Sequence, residues 1–232
     1  MQYTHILFDA DETLFSFNAY LGLKTMLLNY GVEFSEQDYQ GYKDDNAALW
    51  VQYQNGEINA ETLQVTRFTK LAAELNVKPQ DLNDAFLDAM AEICQPLLGA
   101  KALLESLHGK VKLGIITNGF TKLQQKRLAH TGFADYFEAL IISEQIGKAK
   151  PAPEPFAAAL AKLGNPDKSK VLMVGDTLES DVLGANRFGI DSCWLQHACV
   201  EGKDVIEPTY KVSSLYELAE LLADKIAAQV KI

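Results

Sequence analysis

The second half of the chain alternates helical and strand-like segments, and this alternation constrains the fold more than any other feature. After Pro96, apolar runs typical of buried strands, such as "VKLGII" and "KVLMVG", are separated by amphipathic segments such as "TKLQQKRLAHTG". Strands that alternate with helices form a parallel sheet with helices on both faces. The run from Tyr3 to Phe8 is equally apolar and belongs to this sheet. The sequence therefore predicts an α/β fold, with a Rossmann-like, three-layer α/β/α core around a parallel sheet.

The segment between the first strand and Pro96 has a different pattern. From Asn18 to about Cys94 the apolar residues recur at helical spacing, and strand signals are absent. Residues that favour helix ends occur at four places: Gly31, Ser35 with Asp38, Asn55 with Gly56, and Pro79. We therefore predict a compact four-helix domain at residues 16–95, inserted into a core formed by residues 1–15 and 96–232.

Composition and charge exclude several classes of function. The formal net charge of −10 argues against a nucleic-acid polymer as a partner, because such binding depends on clustered Lys and Arg. The chain has no apolar run of membrane-spanning length and no basic leader, so we expect a cytoplasmic protein without membrane contact. Its three cysteines, Cys94, Cys193 and Cys199, lack metal-ligand spacing and are expected to be reduced structural thiols. The four histidines match no catalytic or ligand pattern.

Polar residues follow each of four predicted strands. In chain order, they are Asp9, Asp11 and Thr13; Thr117 and Asn118; Lys148 and Lys150; and Gly175, Asp176 and Asp181. Because ligands bind at the carboxyl ends of parallel strands, we expect these loops to converge. Several carboxylates together need a cation, and an all-oxygen ligand set favours Mg²⁺. A lysine, a hydroxyl and backbone amides in the same place suit a phosphate, so the combination indicates phosphoryl transfer.

Four short motifs occur in a fixed order: "DADET", "TNG", "KAKPAPEPF" and "GDTLESD". Together they resemble the ordered motifs of the haloacid dehalogenase superfamily in its phosphatase branch, over essentially the whole chain. The helical insertion is similar to the cap domain of that superfamily. The resemblance implies a hydrolase that depends on Mg²⁺, with Mn²⁺ or Co²⁺ as substitutes.

The resemblance also implies a role for each motif residue. Asp9 is the expected nucleophile, which forms an aspartyl phosphate, and Asp11 is the expected general acid and base. Asp9, Asp11 and Asp176 are the expected metal ligands, and Asp181 is expected to act through water or by orienting the lysine. The expected phosphate contacts come from three further residues: Thr117, Asn118 and Lys150. Lys148 and Glu12 are expected to be solvated loop residues, and Thr13 a brace for its loop.

The substrate is expected to depend on the inserted helices, which are rich in aromatic rings. Rings at helical spacing usually form core, but some can stack on a planar base. Trp50 and the hinge residue Phe15 are our candidates for substrate contact. "LWVQYQNG", "DAMAEIC" and "GIITNGFTKLQQ" are similar to segments of the bacterial pyrimidine 5′-nucleotidases of this superfamily. This resemblance implies hydrolysis of nucleoside 5′-monophosphates such as deoxyuridine, thymidine or uridine monophosphate (dUMP, dTMP or UMP), by a monomer or homodimer that clears the nucleotide pool.

Three alternatives remain open from the sequence. A phosphoglycolate or sugar-phosphate phosphatase would share every core motif residue. A haloacid dehalogenase proper is disfavoured, since carbon–halogen cleavage needs neither Mg²⁺ nor Asp11. A non-catalytic regulatory protein on the same scaffold would be expected to have lost at least one of Asp9, Asp11, Lys150 and Asp176, and all are present.

Overall fold

A parallel sheet forms the centre of the computed structural model, which describes residues 2–197 and 206–226. Within these residues the sheet has six strands, in the order β3-β2-β1-β4-β5-β6. The strands are β1 (His5–Phe8), β2 (Lys112–Thr117), β3 (Ala139–Ile142), β4 (Val171–Gly175), β5 (Asp191–Leu195) and β6 (Tyr210–Val212). The first strand of the chain therefore lies inside the sheet, between β2 and β4.

The helices fall into two groups along the chain. Those before Pro96 are α1 (Ala19–Leu28), α2 (Glu36–Gln54), α3 (Ala60–Thr66), α4 (Thr69–Leu75) and α5 (Pro79–Ile93). Those after it are α6 (Ala100–Leu107), α7 (Thr121–Thr131), α8 (Ser143–Ile146), α9 (Pro153–Lys162), α10 (Leu183–Phe188) and α11 (Leu215–Ile226). Within the described residues, no helix combines the length and the apolar character that a membrane crossing requires.

Alternate residues of β1 pack on opposite faces of the sheet. Ile6 and Phe8 belong to one apolar cluster, with residues of α6, α7 and α11, whereas Leu7 belongs to another, with residues of α9 and α10. This is the period-2 geometry of a strand that is buried on both faces. The three-layer α/β/α core predicted from the alternating sequence is confirmed.

The helical insertion leaves and rejoins the core at adjacent points. Phe15 forms an isolated bridge with Pro96, and the Ser16 backbone N–H donates to Gln95 O at 2.9 Å. A second apolar cluster fills the insertion, with buried residues from each of α1 to α5, and extends to Phe120, Leu123 and Ala149 of the core. The capping box of Ser35 is present, and Pro79 begins α5.

The expected number of four helices in the insertion is wrong. Residues 16–95, all of them described, hold five, because the segment "ETLQVTRFTKLAAEL" divides into α3 and α4 at Arg67 and Phe68. The Thr69 hydroxyl donates to Val65 O at 3.2 Å, which is the carbonyl that an uninterrupted helix would pair with the Thr69 N–H. The division allows the Phe68 ring to be fully buried.

Other element boundaries also differ from the expectations. The first strand begins at His5 rather than Tyr3, and the helix expected from Ser180 begins with a π-helical turn at Leu178–Val182. The sequence patterns did not predict β6 or α11. Cys94 and Cys193 are buried and form no disulfide, as expected, and Cys199 lies outside the described residues.

Candidate active site

The carboxyl ends of β1, β2 and β4 open into one cavity of about 260 Å³. Asp9 follows β1, Thr117 ends β2, and Asp176 follows β4; each of these residues lines the cavity. β1 pairs with both neighbours in register, which sets Phe8 beside Ile115 and Val174. Sheet topology therefore brings together motifs that lie far apart in the sequence, such as Asp9 and Thr117, as predicted.

Lys150 lies at the centre of the charged groups. Its side chain is 1% exposed, and its ammonium pairs with Asp9 Oδ1 and, at 2.7 Å, with Asp181 Oδ1. The same ammonium donates to Ile116 O at 2.7 Å. Burial lowers the pKa of Lys150, but the charges of Asp181 and Asp9 outweigh this effect, so the pKa lies above its usual value. Lys150 is a fixed cation beside the Asp9 carboxylate.

The backbone of Lys150 is held by Asn118. Asn118 Oδ1 accepts from Lys150 N at 2.7 Å, and Asn118 Nδ2 donates to Lys150 O at 2.9 Å. This pair of hydrogen bonds joins the loop after β2 to the loop that carries the lysine. Lys148, the other candidate in that loop, is exposed and does not line the cavity. The structure therefore brings Lys150, and not Lys148, to the carboxylates.

Three carboxylates form a cluster that could hold a metal ion. One oxygen each from Asp9, Asp176 and Asp181 lies within 4.8 Å of the others. Burial raises the pKa of Asp9 well above its usual value, although Lys150 opposes the shift, and burial with the charge of Asp181 raises the pKa of Asp176 to about 6. Three clustered carboxylates carry more negative charge than one lysine compensates, and a hard divalent cation suits this all-oxygen set.

Gly175 allows a close approach at the end of β4, and local hydrogen bonds shape the loops around it. A Cβ on Gly175 would lie 2.2 Å from Asp181 Oδ2, so glycine lets the Asp181 carboxylate pass directly over the end of β4. Asp181 Oδ2 also accepts from Thr177 N at 3.1 Å. In the loop after β2, Thr117 Oγ1 accepts from Gly119 N at 3.0 Å. Thr13 is fully buried under its loop.

Arg127 is a site residue that the motif-based interpretation missed. Its side chain is 1% exposed, and its Nη2 donates to Asp11 Oδ1 at 2.6 Å. The guanidinium also lies over the Phe15 ring, 5.2 Å from its centroid. A signal was available in α7, because Gln124 and Arg127 occupy buried positions of an amphipathic helix next to Leu123 and Leu128. Polar residues on a buried helix face generally have a specific partner.

The opposite side of the cavity is formed by the helical insertion. Residues 42, 46, 50 and 54 recur every four positions along α2, which places them on one helix face. We call these residues, together with Arg67 at the end of α3, the helical wall: Tyr42, Asn46, Trp50, Gln54 and Arg67. The Trp50 ring lies 5.4 Å from that of Phe120, another cavity residue, at 33°. Trp50 therefore lies where a substrate contact was expected.

The structure contradicts the expectation for Phe15. This side chain is fully buried and packs against Phe133 with 5.6 Å between ring centroids, so it does not line the cavity. The chain turns sharply after β1, with Glu12 at a φ of 54° and both Leu14 N and Phe15 N bonded to Ala10 O. The turn directs Phe15 into the core. Phe17 and Glu12 line the cavity instead, so Glu12 is not simply a solvated loop residue.

Comparisons with known proteins agree with this geometry. Residues 3–189 match the family model of the haloacid dehalogenase-like hydrolases. The chain is 53% identical to the pyrimidine 5′-nucleotidase YjjG of Escherichia coli, across 96% of this chain and 99% of that protein. It is 34% identical to the pyrimidine 5′-nucleotidase PynA of Streptococcus pneumoniae, with 99% of each chain covered.

A solved structure shares the whole architecture. The putative haloacid dehalogenase-type hydrolase YfnB of Bacillus subtilis, determined with bound magnesium, superposes with a TM-score of 0.83. The sequences are 28% identical, and the alignment covers 96% of this chain and 99% of YfnB. Core and helical insertion are therefore both present in a relative that binds magnesium.

Proposed function

The chain belongs to the haloacid dehalogenase-like hydrolase family, and on this premise we propose that it hydrolyses pyrimidine nucleoside 5′-monophosphates such as dUMP, dTMP and UMP. The observation that carries this proposal is the ion pair of Asp9 with Lys150, which lies in a cavity that aromatic rings also line. The carboxylate and the lysine suit a phosphoryl group, and the rings suit a planar base. The similarity to two pyrimidine 5′-nucleotidases supports the same substrate class.

The first step transfers the phosphoryl group to the protein. Asp9 attacks phosphorus, the bond from phosphorus to the 5′-oxygen breaks, and Asp11 gives its proton to the departing oxygen. Lys150, Thr117 Oγ and the backbone amides after β2 bind the phosphoryl oxygens as their charge develops. The nucleoside then leaves with a free 5′-hydroxyl group.

The second step returns Asp9 to its starting state. Water attacks the phosphorus of the aspartyl phosphate, Asp11 takes a proton from that water, and the bond to Asp9 breaks to release inorganic phosphate. Arg127 keeps the Asp11 carboxylate oriented during both proton transfers, because its guanidinium is buried and bonded to Asp11 Oδ1. Asp181 does the same for the Lys150 ammonium.

We propose Mg²⁺ as the cofactor. Asp9 and Asp176 would hold it directly, together with the backbone carbonyl of Asp11, and Asp181 would act through water or through Lys150. When bound, the ion supplies positive charge that draws the phosphate to Asp9 and offsets the developing negative charge. Mn²⁺ and Co²⁺ offer the same charge and are proposed as substitutes.

The organisation of the chain forms part of the proposal. We propose that residues 16–95 act as a cap that selects substrate, while residues 1–15 and 96–232 carry out the chemistry. The protein is proposed to act in the cytoplasm as a monomer or homodimer. Light scattering of the purified protein measures the oligomeric state.

A substrate panel tests the proposed function. Phosphate release is measured with dUMP, dTMP, adenosine monophosphate and phosphoglycolate, in Mg²⁺, in Mn²⁺ or Co²⁺, and in chelator. The expected result is a higher kcat/KM for the pyrimidine nucleotides and no turnover in chelator. Faster hydrolysis of phosphoglycolate than of every nucleotide would overturn the proposal.

A further inference from the structure

The helical wall carries polar groups that the chemistry at Asp9 does not use. Tyr42 and Asn46 lie one helical turn apart on α2, and Arg67 reaches the same cavity from the end of α3. Each of the three residues is partly buried and lines the cavity. A wall of rings alone would suffice to hold an apolar group, and these three polar residues therefore need a separate explanation.

Arg67 is a cation without a carboxylate partner. Its Nε and Nη2 both donate to Asn83 Oδ1, a neutral acceptor, and the Tyr42 hydroxyl is a second neutral neighbour. Among residues 2–197 and 206–226, no carboxylate forms an ion pair with it. Its guanidinium lies 5.0–5.1 Å from the ring centroids of Phe68, Phe86 and Phe120. Burial lowers the pKa of Arg67, as expected for a cation in apolar surroundings. An oxygen acceptor on a ligand would offset the cost of leaving this charge uncompensated.

Two other polar atoms of the wall lack a hydrogen bond of normal geometry. Asn46 Oδ1 is buried and has no partner within the described part of the chain, and the buried Tyr42 hydroxyl has only the adjacent Arg67 guanidinium as a polar neighbour. Buried polar atoms without partners are rare because each costs free energy. At a ligand site, such atoms indicate hydrogen bonds that form only when the ligand binds.

A chain of hydrogen bonds holds Arg67 in place. Asn83 Nδ2 donates to Gln64 Oε1 at 2.9 Å, and Gln64 Nε2 donates to Glu144 Oε1 at 2.8 Å. Glu144 Oε2 in turn accepts from Thr121 N, at the start of α7, at 2.7 Å. The guanidinium is thus tied to the core close to the loop that begins at Thr117. A group held in this way can recognise a ligand at low entropic cost.

We propose that Arg67, Asn46 and Tyr42 bind the hydrogen-bonding edge of a uracil-type base. This proposal rests on the chain's proposed action on pyrimidine nucleotides. That edge reads acceptor, donor, acceptor: O2, N3–H and O4. Arg67 and Tyr42 donate to the two carbonyl oxygens, and Asn46 Oδ1 accepts from N3–H. The ring lies against Trp50 and Phe120, and the phosphate reaches Asp9 at the other end of the same cavity.

The same set disfavours other bases. Cytosine has an acceptor at N3, which faces the acceptor Asn46 Oδ1. Its N4 amino group donates, so it faces one of the two protein donors, Arg67 or Tyr42. Adenine and guanine lack the acceptor, donor, acceptor edge of uracil, so neither satisfies all three residues. The expected order of kcat/KM is therefore uracil and thymine nucleotides first, then cytosine, then purine nucleotides.

Asn46→Leu tests the inference, because leucine has a similar size and lacks the acceptor. We expect kcat/KM for dUMP to fall by about 10- to 100-fold relative to that for 2-deoxyribose 5-phosphate, which has the same sugar phosphate and no base. Tyr42→Phe should also lower the ratio of kcat/KM for dUMP to kcat/KM for 2-deoxyribose 5-phosphate. Asp45→Leu, an exposed neighbour on α2 outside the cavity, is the matched control and should leave the ratio at its wild-type value.

The outcomes separate this inference from the proposed function. If wild type prefers dUMP to 2-deoxyribose 5-phosphate but Asn46→Leu and Tyr42→Phe leave the ratio unchanged, the base subsite is refuted while the nucleotidase activity stands. If wild type prefers no nucleotide to 2-deoxyribose 5-phosphate, both the base subsite and the proposed nucleotidase function fail. Arg67→Met adds a third outcome: a loss confined to phosphoglycolate would mean that Arg67 binds a carboxylate, which also refutes the base subsite.

Discussion

The two sides of the cavity differ in how their buried cations are paired. At the strand ends, Lys150 is paired with two aspartates, and its backbone is fixed by Asn118. On the helical wall, Arg67 has only neutral neighbours, Asn83 and the Tyr42 hydroxyl, and Asn46 Oδ1 has no partner in the described residues. The strand-end side is organised before substrate arrives, as electrostatic catalysis requires. The helical wall keeps hydrogen-bonding capacity for the ligand.

Loss of the nucleophile is the strongest test of the strand-end side. Asp9→Asn should lower kcat by about 10⁴-fold or more for every substrate, because the amide has a similar shape but cannot attack phosphorus. Circular dichroism and thermal melting serve as controls for folding. A variant that keeps a tenth of wild-type kcat would show that the strand-end side does not act through Asp9.

Removal of the central cation should have the next largest effect. Lys150→Met is expected to lower kcat by about 10²- to 10³-fold, in the range for loss of one transition-state donor. It should also lower the free energy of unfolding by about 3–5 kcal/mol, because Asp9 and Asp181 lose their buried partner. Lys148→Met, in the same loop and exposed, is the matched control. Equal losses in the two variants would refute the assignment of Lys150.

Arg127 tests whether a change on the strand-end side affects all substrates equally. Arg127→Met should lower kcat by about 10- to 100-fold through misplacement of Asp11, with little change in KM. The loss should be equal for dUMP and 2-deoxyribose 5-phosphate, whereas helical-wall variants discriminate between them. Arg127→Lys should recover part of kcat. A rise in KM with unchanged kcat would show that Arg127 does not position Asp11.

The smallest effect is expected for a change in the hydrogen-bond chain that connects Arg67 on the helical wall with the core. Gln64→Leu leaves Asn83 and Glu144 without their shared partner and should lower the free energy of unfolding by about 1–3 kcal/mol. Because Arg67 is then held less firmly, KM for dUMP should rise by a few-fold. Gln125→Leu, an exposed glutamine on α7, should stay within about 0.5 kcal/mol of wild type. Denaturant unfolding and initial rates measure both quantities.

The sequence predicted the strand-end side better than the helical wall, for a physical reason. Parallel strands are read as apolar runs, and their carboxyl ends meet wherever the strands are adjacent, so Asp9, Lys150 and Asp176 could be grouped without coordinates. Phe15 was misplaced because its direction depends on a tight turn at Glu12 with positive φ. Arg127 was missed because it lies inside α7 rather than at a strand end, so the rule that groups strand-end residues does not reach it.

The helical insertion shows the same limit. Amphipathic spacing predicted helices but not the division at Phe68, where the Thr69 hydroxyl bonds to Val65 O and the Phe68 ring is fully buried. Likewise, the four-residue spacing of Tyr42, Asn46 and Trp50 was visible in the sequence, but only the cavity shows which face of α2 meets the ligand. The short strand β6 has three residues, too few for a clear alternation.

Acid-quenched single-turnover mass spectrometry of dUMP hydrolysis tests the central claim most directly. Excess enzyme is mixed with dUMP and Mg²⁺, quenched within milliseconds to seconds, and digested at low pH. A phosphoryl group that appears on the peptide containing Asp9, and then disappears as inorganic phosphate is released, is the predicted result. Hydrolysis of dUMP with the phosphoryl group on another residue, or with no phosphorylated peptide at any time, would contradict the account.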